Sequence, residues 1–184
     1  MPGGSAFNSL ISLGRSVGVR FPEIPIRMIT ETGDDHIGDI VVRFMQENNV
    51  NTQCVTRNNG TQTHISMAFL DERNDAKYEF YKDHAHASLK EENLQTVDCH
   101  AEDILIINPG IRDYTANIYR KAYEAGAIIY YDVNFRSSHA HELPAVMTNV
   151  IENCRLSDIV RGSTEDFNIL FGTSNPLEVY DKHL

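Results

Sequence analysis

The sequence GAIIYYDVNFR, residues 126–136, holds the pattern that decides the fold of this chain. A glycine that ends a helical segment is followed by a short apolar strand, Ile128–Tyr131, and polar residues then begin at Asp132. The alternation continues on both sides, with strands at Ile104–Ile107 and Asp158–Val160 and helices at Tyr114–Ala125, Glu142–Cys154 and Ser163–Phe171. Strands that alternate with helices are typical of an α/β fold with a parallel sheet and right-handed crossovers.

The first part of the chain is predicted to begin with a helix over about Ala6–Ser16, because apolar residues recur there with a helical period. An apolar run rich in β-branched residues predicts a strand over Ile24–Ile29. A turn rich in glycine and aspartate then leads into an amphipathic helix that begins near Ile37 and fades at Asn48.

The pattern changes after this helix. Three short segments are predicted as strands: Cys54–Arg57, Thr63–Leu70 and Lys77–Tyr81. The sequence Asn58-Asn59-Gly60 between the first two favours a tight hairpin turn. In the middle strand Ile65, Met67 and Phe69 alternate with smaller or polar residues, which indicates a sheet with one covered face. We therefore expect a small antiparallel β flap over residues 52–82.

Composition narrows the class of protein. The chain has 184 residues, 41% of them hydrophobic, and its 16 basic and 26 acidic residues give a net charge of −10. This balance predicts one globular domain and argues against nucleic acid or an anionic membrane as a partner, since either selects a basic face. No apolar run is long enough to span a bilayer. The three widely spaced cysteines predict free thiols in a reducing cytoplasm.

Polar residues follow four of the predicted strands, where ligands bind in open α/β sheets. The most informative set is Asp132, Asn134 and Arg136, because alternate side chains of an extended segment point the same way. A carboxylate, an amide and a guanidinium on one side suit a polyol or a phosphate. The alternative is a buried Asp–Arg ion pair that only stabilises the loop. The sequence leaves both interpretations open.

The sequence does not support three other kinds of binding site: a P-loop, a dinucleotide site and a histidine metal site. Gly33 and Gly38 have the outer spacing of a phosphate-binding P-loop, but Asp39-Ile40 follows where the loop requires Lys and Ser or Thr. The sequence contains no G-x-G-x-x-G for a dinucleotide. Two His-x-His pairs, at His84/His86 and His139/His141, lack further metal ligands and are expected to be solvated loop residues.

Taken in order, the strand-end motifs resemble those of the ribokinase-like (PfkB) carbohydrate kinase family, in its fructokinase and keto-deoxygluconate kinase branch. The matching segments are Gly3-Gly4-Ser5-Ala6-Phe7-Asn8, Gly33–Asp39 with its Gly-x-Asp-x-x-Gly pattern, the flap, Asp132–Arg136 and Arg161–Asp166. The resemblance implies a ribokinase-like three-layer αβα fold with a mainly parallel sheet and a small antiparallel β lid. It also implies one incomplete domain over residues 1–184, with the lid inserted at 52–82.

The resemblance further implies ATP-dependent phosphorylation of a sugar hydroxyl. It assigns sugar binding to Gly3, Gly4, Asn8, Tyr81, Lys82, Asp132 and Asn134, and stabilisation of the transferring phosphoryl group to Arg136. It assigns binding of the ATP cofactor to Arg161 and Ser163, and orientation of Mg²⁺ through water to Asp166 and Glu165. Ser163 and Asp166 stand where the family has Asn and Glu. The lid or a sheet edge would join copies of the chain into a homo-oligomer.

Two family elements have no counterpart in this sequence: a first strand with an acidic sugar ligand, and a Gly-Ala-Gly-Asp segment that supplies the anion hole and the catalytic base. We therefore expect a truncated kinase chain that has no turnover alone. The alternative is a non-catalytic fragment that binds sugar or assembles with other chains.

Overall fold

The computed structural model describes residues 2–72, 76–81, 97–108, 115–135, 140–141 and 143–183. The chain divides into two compact units, Met1–Leu89 and Lys90–Leu184. Each unit has a core of its own. Among the described residues, no helix is both long and apolar enough to cross a bilayer.

The first unit contains two helices and two pairs of strands. Its elements are α1 (Ser5–Arg20), β1 (Thr30–Gly33), α2 (His36–Gln46), β2 (Val55–Asn58), β3 (Ile65–Leu70) and β4 (Ala76–Tyr81). Strands β1 and β2 pair in parallel, and β3 and β4 pair antiparallel. The core of the unit is formed by Phe7 and Ile11 of α1 with Met45 and Val50, so both helices contribute apolar residues to it, although Ile37 and Ile40 of α2 are exposed.

The predicted strand at Ile24–Ile29 is wrong in position. Within that run only Arg27 forms an isolated bridge, to Asn51, and the strand itself is Thr30–Gly33. Ile26 and Met28 are partly buried against the core of the unit. The apolar run therefore supplies packing, whereas the hydrogen-bonded ladder with β2 is formed by the more polar residues that follow it.

The predicted hairpin between the second and third strands of the unit is also wrong. Strand β2 pairs in parallel with β1, and β3 pairs with β4, so the antiparallel sheet that the structure describes has two strands. The six residues of β3 are all exposed, so neither of its faces is covered in the described part of the chain. A period of two predicts that a segment is extended, but it does not say which strand will be its neighbour.

The second unit is a three-stranded parallel sheet with four helices in the described residues. Its elements are β5 (Ile104–Ile107), α3 (Thr115–Ala125), β6 (Ile128–Asp132), α4 (Leu143–Leu156), β7 (Ile159–Arg161), α5 (Thr164–Phe171) and α6 (Pro176–His183). The strand order is β5-β6-β7, and α3 and α4 pack against β6 and against each other. This confirms the predicted alternation; Tyr114 and Glu142, the predicted first residues of two helices, lie outside the described residues.

The central strand β6 is apolar because helices cover it. Ile129 and Tyr131 are almost completely buried, and the ring of Tyr131 meets that of Tyr119 of α3 edge to face, with 5.9 Å between the ring centroids. Cys154 of α4 belongs to the same core. The helix α6 is an element that the sequence patterns did not predict.

Candidate functional site

Four polar residues meet at the carboxyl ends of the parallel strands in the second unit. Asn108 follows β5, Asp132 ends β6, Asn134 lies two residues later and Arg161 ends β7. The parallel register places Asp132 beside Arg161. We call these four residues the strand-end cluster. They occupy the edge where open α/β sheets bind ligands.

Hydrogen bonds join the cluster into one group. Arg161 Nη1 donates to Asp132 Oδ2 at 3.0 Å, and Asn108 Nδ2 donates to the same oxygen at 3.3 Å. Asn134 Nδ2 donates in turn to Asn108 Oδ1 at 3.2 Å. The side chains that follow three successive strands are therefore fixed relative to one another.

The two oxygens of Asp132 have different surroundings. The residue is 6% exposed, and its Oδ2 accepts both of the hydrogen bonds just described. Its Oδ1 is also buried but has no hydrogen-bond partner among the described residues. A buried acceptor without a donor costs about 1–3 kcal/mol, and such atoms recur at binding sites.

The backbone turns away from strand geometry just after Asp132. Asn134 has a φ of 35°, in the left-handed region, so the expectation that Asp132 and Asn134 alternate along an extended segment is wrong at this position. Asparagine tolerates this conformation better than most residues, and non-glycine residues of positive φ cluster at functional sites. The turn is what allows the Asn134 amide to contact Asn108. Arg136 lies outside the described residues.

Asp132 forms an ion pair with Arg161, whereas the alternative that the sequence left open, a pair within the loop with Arg136, lies outside the described residues. The buried Asp132 carboxylate pairs with Arg161, whose own side chain is 61% exposed. The carboxylate therefore holds one side of a guanidinium that remains largely accessible. This arrangement leaves Arg161 able to bind an anion, because an arginine carries five N–H donors.

The start of α5 confirms the predicted capping box. Ser163 Oγ accepts from Asp166 N at 3.1 Å, and Asp166 Oδ2 accepts from Ser163 N at 2.6 Å. Asp166 is buried in this role, whereas Glu165 is exposed. One Asp166 oxygen is thus already committed to the helix cap. Across the described ranges, no three His, Cys, Asp or Glu side chains are grouped to hold a metal.

The glycine pair at the start of the first unit forms the N-terminus of α1. Gly4 caps the helix with a φ of 124°, which favours glycine, and its carbonyl accepts from the backbone N–H of Asn8 at 2.8 Å. A Cβ built on Gly3 would lie 3.9 Å from Asn8 Oδ1. Gly3, Gly4 and Asn8 are all exposed, so the structure brings these predicted sugar-binding residues together at an accessible helix end.

The Gly-x-Asp-x-x-Gly stretch, by contrast, makes hydrogen bonds and close contacts within the first unit. Asp35 caps α2 through Gly38 N at 2.8 Å and accepts from both the N–H and the hydroxyl of Thr63, at 2.9 and 2.6 Å. The Thr63 hydroxyl bond is the main cause that holds the pKa of Asp35 below its ordinary value. A Cβ on Gly33 would collide with the backbone of residues 61–63. These contacts hold Thr63 beside α2, which is why β3 does not fold back on β2.

The lid residues are only partly placed. Tyr81 ends β4, is 56% exposed and donates its hydroxyl to Glu79 at 3.2 Å. Lys82 lies outside the described residues, as do His84, His86 and His139. Asn108 is the cluster residue to which the sequence assigned no role; its position directly after a predicted strand was the available signal.

A parallel α/β sheet with polar strand ends, together with a separate two-stranded antiparallel sheet, is the architecture of the ribokinase-like kinases. A fructokinase from Vibrio cholerae O395, solved with fructose, ADP and calcium ion bound, superposes with a TM-score of 0.77 at 21% identity and covers 98% of this chain and 59% of that one. Halothermothrix orenii fructokinase superposes with a TM-score of 0.72 at 19% identity, over 97% of this chain and 64% of that one. The predicted fold is confirmed.

Sequence comparison gives the family. Residues 1–183 match the family described as pfkB family carbohydrate kinase, and the chain belongs to that family. It is 30% identical to a fructokinase from Rhizobium leguminosarum bv. trifolii, over 90% of this chain and 50% of the relative. It is 24% identical to fructokinase-1 from Oryza sativa subsp. japonica, over 93% of this chain and 53% of the relative. The chain spans about half the length of the curated relatives it matches.

Proposed function

We propose that this protein takes part in ATP-dependent phosphorylation of a sugar hydroxyl, with fructose as the first candidate substrate. The observation that carries the proposal is the strand-end cluster, in which a buried carboxylate with a free oxygen holds an exposed guanidinium at the carboxyl edge of a parallel sheet. Membership of the pfkB family supports it, and so do relatives that are themselves named fructokinases.

The roles proposed for individual residues follow the family resemblance. Gly3, Gly4, Asn8, Tyr81, Lys82, Asp132 and Asn134 bind sugar; Arg136 stabilises the transferring phosphoryl group; Arg161 and Ser163 bind the phosphates of ATP. Glu165 and Asp166 orient Mg²⁺ through water. A fructokinase from Xylella fastidiosa solved with bound ATP, and the Vibrio cholerae enzyme with ADP and calcium ion, support a nucleotide and a divalent cation as cofactors.

Charge compensation is the physical basis of the proposed phosphoryl chemistry. The transition state of phosphoryl transfer spreads negative charge over the transferring oxygens, so positioned cations contribute more than covalent chemistry does. Arg161 is held on one side by Asp132 and is otherwise largely exposed. It therefore meets an incoming phosphate with little loss of side-chain freedom.

Binding and turnover are tested separately. Calorimetric titration of the purified chain with fructose, ribose and keto-deoxygluconate should detect sugar binding, and no binding at millimolar concentration would contradict the proposal. A coupled ADP-release assay should show turnover well below about 1 s⁻¹, the lower end of ordinary enzyme rates. The reason is that the 184 residues contain no Gly-x-Gly-Asp segment to supply an anion hole and a base.

A second candidate is a sugar-binding or assembly module without catalysis. It is favoured by the antiparallel sheet, whose β3 residues are all exposed although most of them are apolar. We propose that a second copy of the chain covers this sheet or pairs with a sheet edge. We also propose a cytoplasmic location, without nucleic-acid or membrane partners, because the three cysteines are free and the net charge is −10.

A further inference from the structure

Among the described residues of the second unit, two buried side-chain oxygens have no hydrogen-bond partner, Tyr119 Oη in the core and Asp132 Oδ1 at the strand ends. Arg161 and Asn108 both donate to Oδ2 and leave Oδ1 with no partner in the described part of the chain. Asp132 is more than nine-tenths buried, so bulk water does not solvate this oxygen freely. A ligand that supplies a donor there would remove an unfavourable state of the free protein.

The charge around Oδ1 selects the kind of donor. Arg161 lies 3.0 Å from the same carboxylate and already compensates its charge. A second cation at Oδ1 would gain less from a neutralised carboxylate and would be repelled by the guanidinium a few ångströms away. A neutral O–H donor gains a charge-assisted hydrogen bond and meets no such repulsion. The cluster therefore favours a hydroxyl over a metal ion at this atom.

Asn108 determines how the carboxylate is turned. Its Nδ2 donates to Asp132 Oδ2 and its Oδ1 accepts from Asn134 Nδ2, so the amide bridges two groups that do not contact each other directly. Asn134 has a positive φ, and this contact is one of the interactions that hold it there. Without Asn108, the described hydrogen bonds to the carboxylate reduce to the one from a largely exposed arginine, which is a weaker constraint on its rotation.

We infer that Asp132 Oδ1 accepts a hydrogen bond from one hydroxyl of the sugar, and that Asn108 is the positioning residue that orients the Asp132 carboxylate. The inference rests on the proposed function and adds to it a specific acceptor atom and a residue without an assigned role. It concerns sugar selection, because a single buried acceptor distinguishes sugars by the presence and position of one hydroxyl.

The test is calorimetric titration of the complete 184-residue chain with fructose and with its monodeoxy analogues. Asp132→Asn keeps the shape of the side chain but removes the charged acceptor. It should raise the Kd for fructose about tenfold or more, the effect expected for a hydrogen bond to a charged group. For the one deoxy analogue that lacks the bonded hydroxyl, the Kd of Asp132→Asn should be close to the Kd of the unmodified chain. Asn108→Ala should raise the Kd for fructose by a smaller factor, and this rise should also be absent for the same analogue.

Matched controls separate this role from general damage. Asp181→Asn on α6 and Asn168→Ala on α5 make the same chemical changes at exposed positions and should leave the Kd within about twofold. Circular dichroism checks that each variant is folded. If Asn108→Ala does not fold, Asn108→Ser tests the positioning role, and Asp132→Asn tests the acceptor independently.

The outcomes are distinct. If the unmodified chain binds fructose but Asp132→Asn weakens all analogues equally, or none, the inference is overturned and the proposed function stands. If Asn108→Ala and Asn108→Ser leave both the affinity and the analogue pattern unchanged, the positioning role is overturned. If the unmodified chain binds no sugar, the proposed function fails and the inference fails with it.

Discussion

At the scale of single residues, aspartates in similar sequence surroundings have different functions. Asp35 and Asp166 both cap helices and are occupied by hydrogen bonds to neighbouring residues. Asp132 retains one unpartnered oxygen. The difference comes from which donors each carboxylate meets after folding, and this is why Asp132 is the candidate ligand group of the three.

Asp35 should contribute to stability through its bonds to Thr63. Asp35→Asn should lower the free energy of unfolding by about 1 kcal/mol, because the hydrogen bonds from Thr63 and Gly38 lose their charged acceptor. Because the pKa of Asp35 is lowered on folding, its contribution is complete above the ordinary pKa of 3.8 and is lost as the pH falls through the lowered value. Urea denaturation between pH 7 and pH 3 measures both effects. Asp34→Asn, which removes a mostly exposed ion-pair partner of Arg57, should change stability by less than about 0.5 kcal/mol.

Cysteine reactivity should follow burial. Burial raises the pKa of the Cys154 thiol to about 12, so very little thiolate exists at pH 8 in the folded chain. Cys54 and Cys99 are only half-buried. Iodoacetamide labelling followed by mass spectrometry should modify Cys154 at least tenfold more slowly than the other two. Denaturing urea should remove the difference; equal rates in the folded chain would contradict the described core.

At the scale of elements, local signals located most helices and strands but did not always determine their partners. The glycine that ends α3 and the capping box of α5 are both present as predicted. The Asn-Gly pair after β2 predicted a hairpin, whereas β2 pairs in parallel with β1. Thr63 donates a hydrogen bond to Asp35 and accepts one from the Gly33 N–H, and these bonds hold the chain after β2 away from a hairpin. No local sequence pattern predicts them.

The capping box gives a direct test at this scale. Ser163→Ala removes the side-chain acceptor for Asp166 N and should lower the free energy of unfolding by about 1 kcal/mol. Ser9→Ala, at an exposed position of α1, removes a bond from a side chain to a carbonyl within the helix and should change stability by less than about 0.5 kcal/mol. Urea unfolding followed by circular dichroism compares the two. Equal losses would argue against a capping role for Ser163.

At the scale of the whole molecule, the antiparallel sheet is the most conspicuous exposed surface. The register pairs Ile65 with Tyr81, which places Ile65, Met67, Phe69 and Tyr81 on one face. These four residues, the lid face, are each between 43% and 56% exposed. The same register places the exposed Glu79 opposite Met67, so the apolar side chains of this face adjoin a carboxylate. Exposed apolar side chains grouped in this way are typical of an interface.

The lid face should mediate self-association of the chain. Met67→Glu should shift sedimentation velocity profiles at micromolar concentration towards the monomer, because the new carboxylate would lie opposite Glu79 and two like charges are costly to bury in an interface. Leu177→Glu, at a position on α6 that is 72% exposed, makes the same kind of change away from the lid face and should have no effect. A monomeric unmodified chain, or equal effects of the two variants, would contradict the proposal.

The sequence by itself determined the α/β class, the parallel sheet of the second unit, the capping box and the kinase family. These features depend on local periodicity, on helix caps and on motifs that can be recognised from the order of residues in the sequence. Only the tertiary structure decided that β2 pairs with β1, that Asp132 pairs with Arg161, and that Asn108 bridges Asp132 and Asn134. Those contacts join residues 24 to 29 positions apart, and which of many polar groups meet is decided by packing of the elements rather than by any local preference.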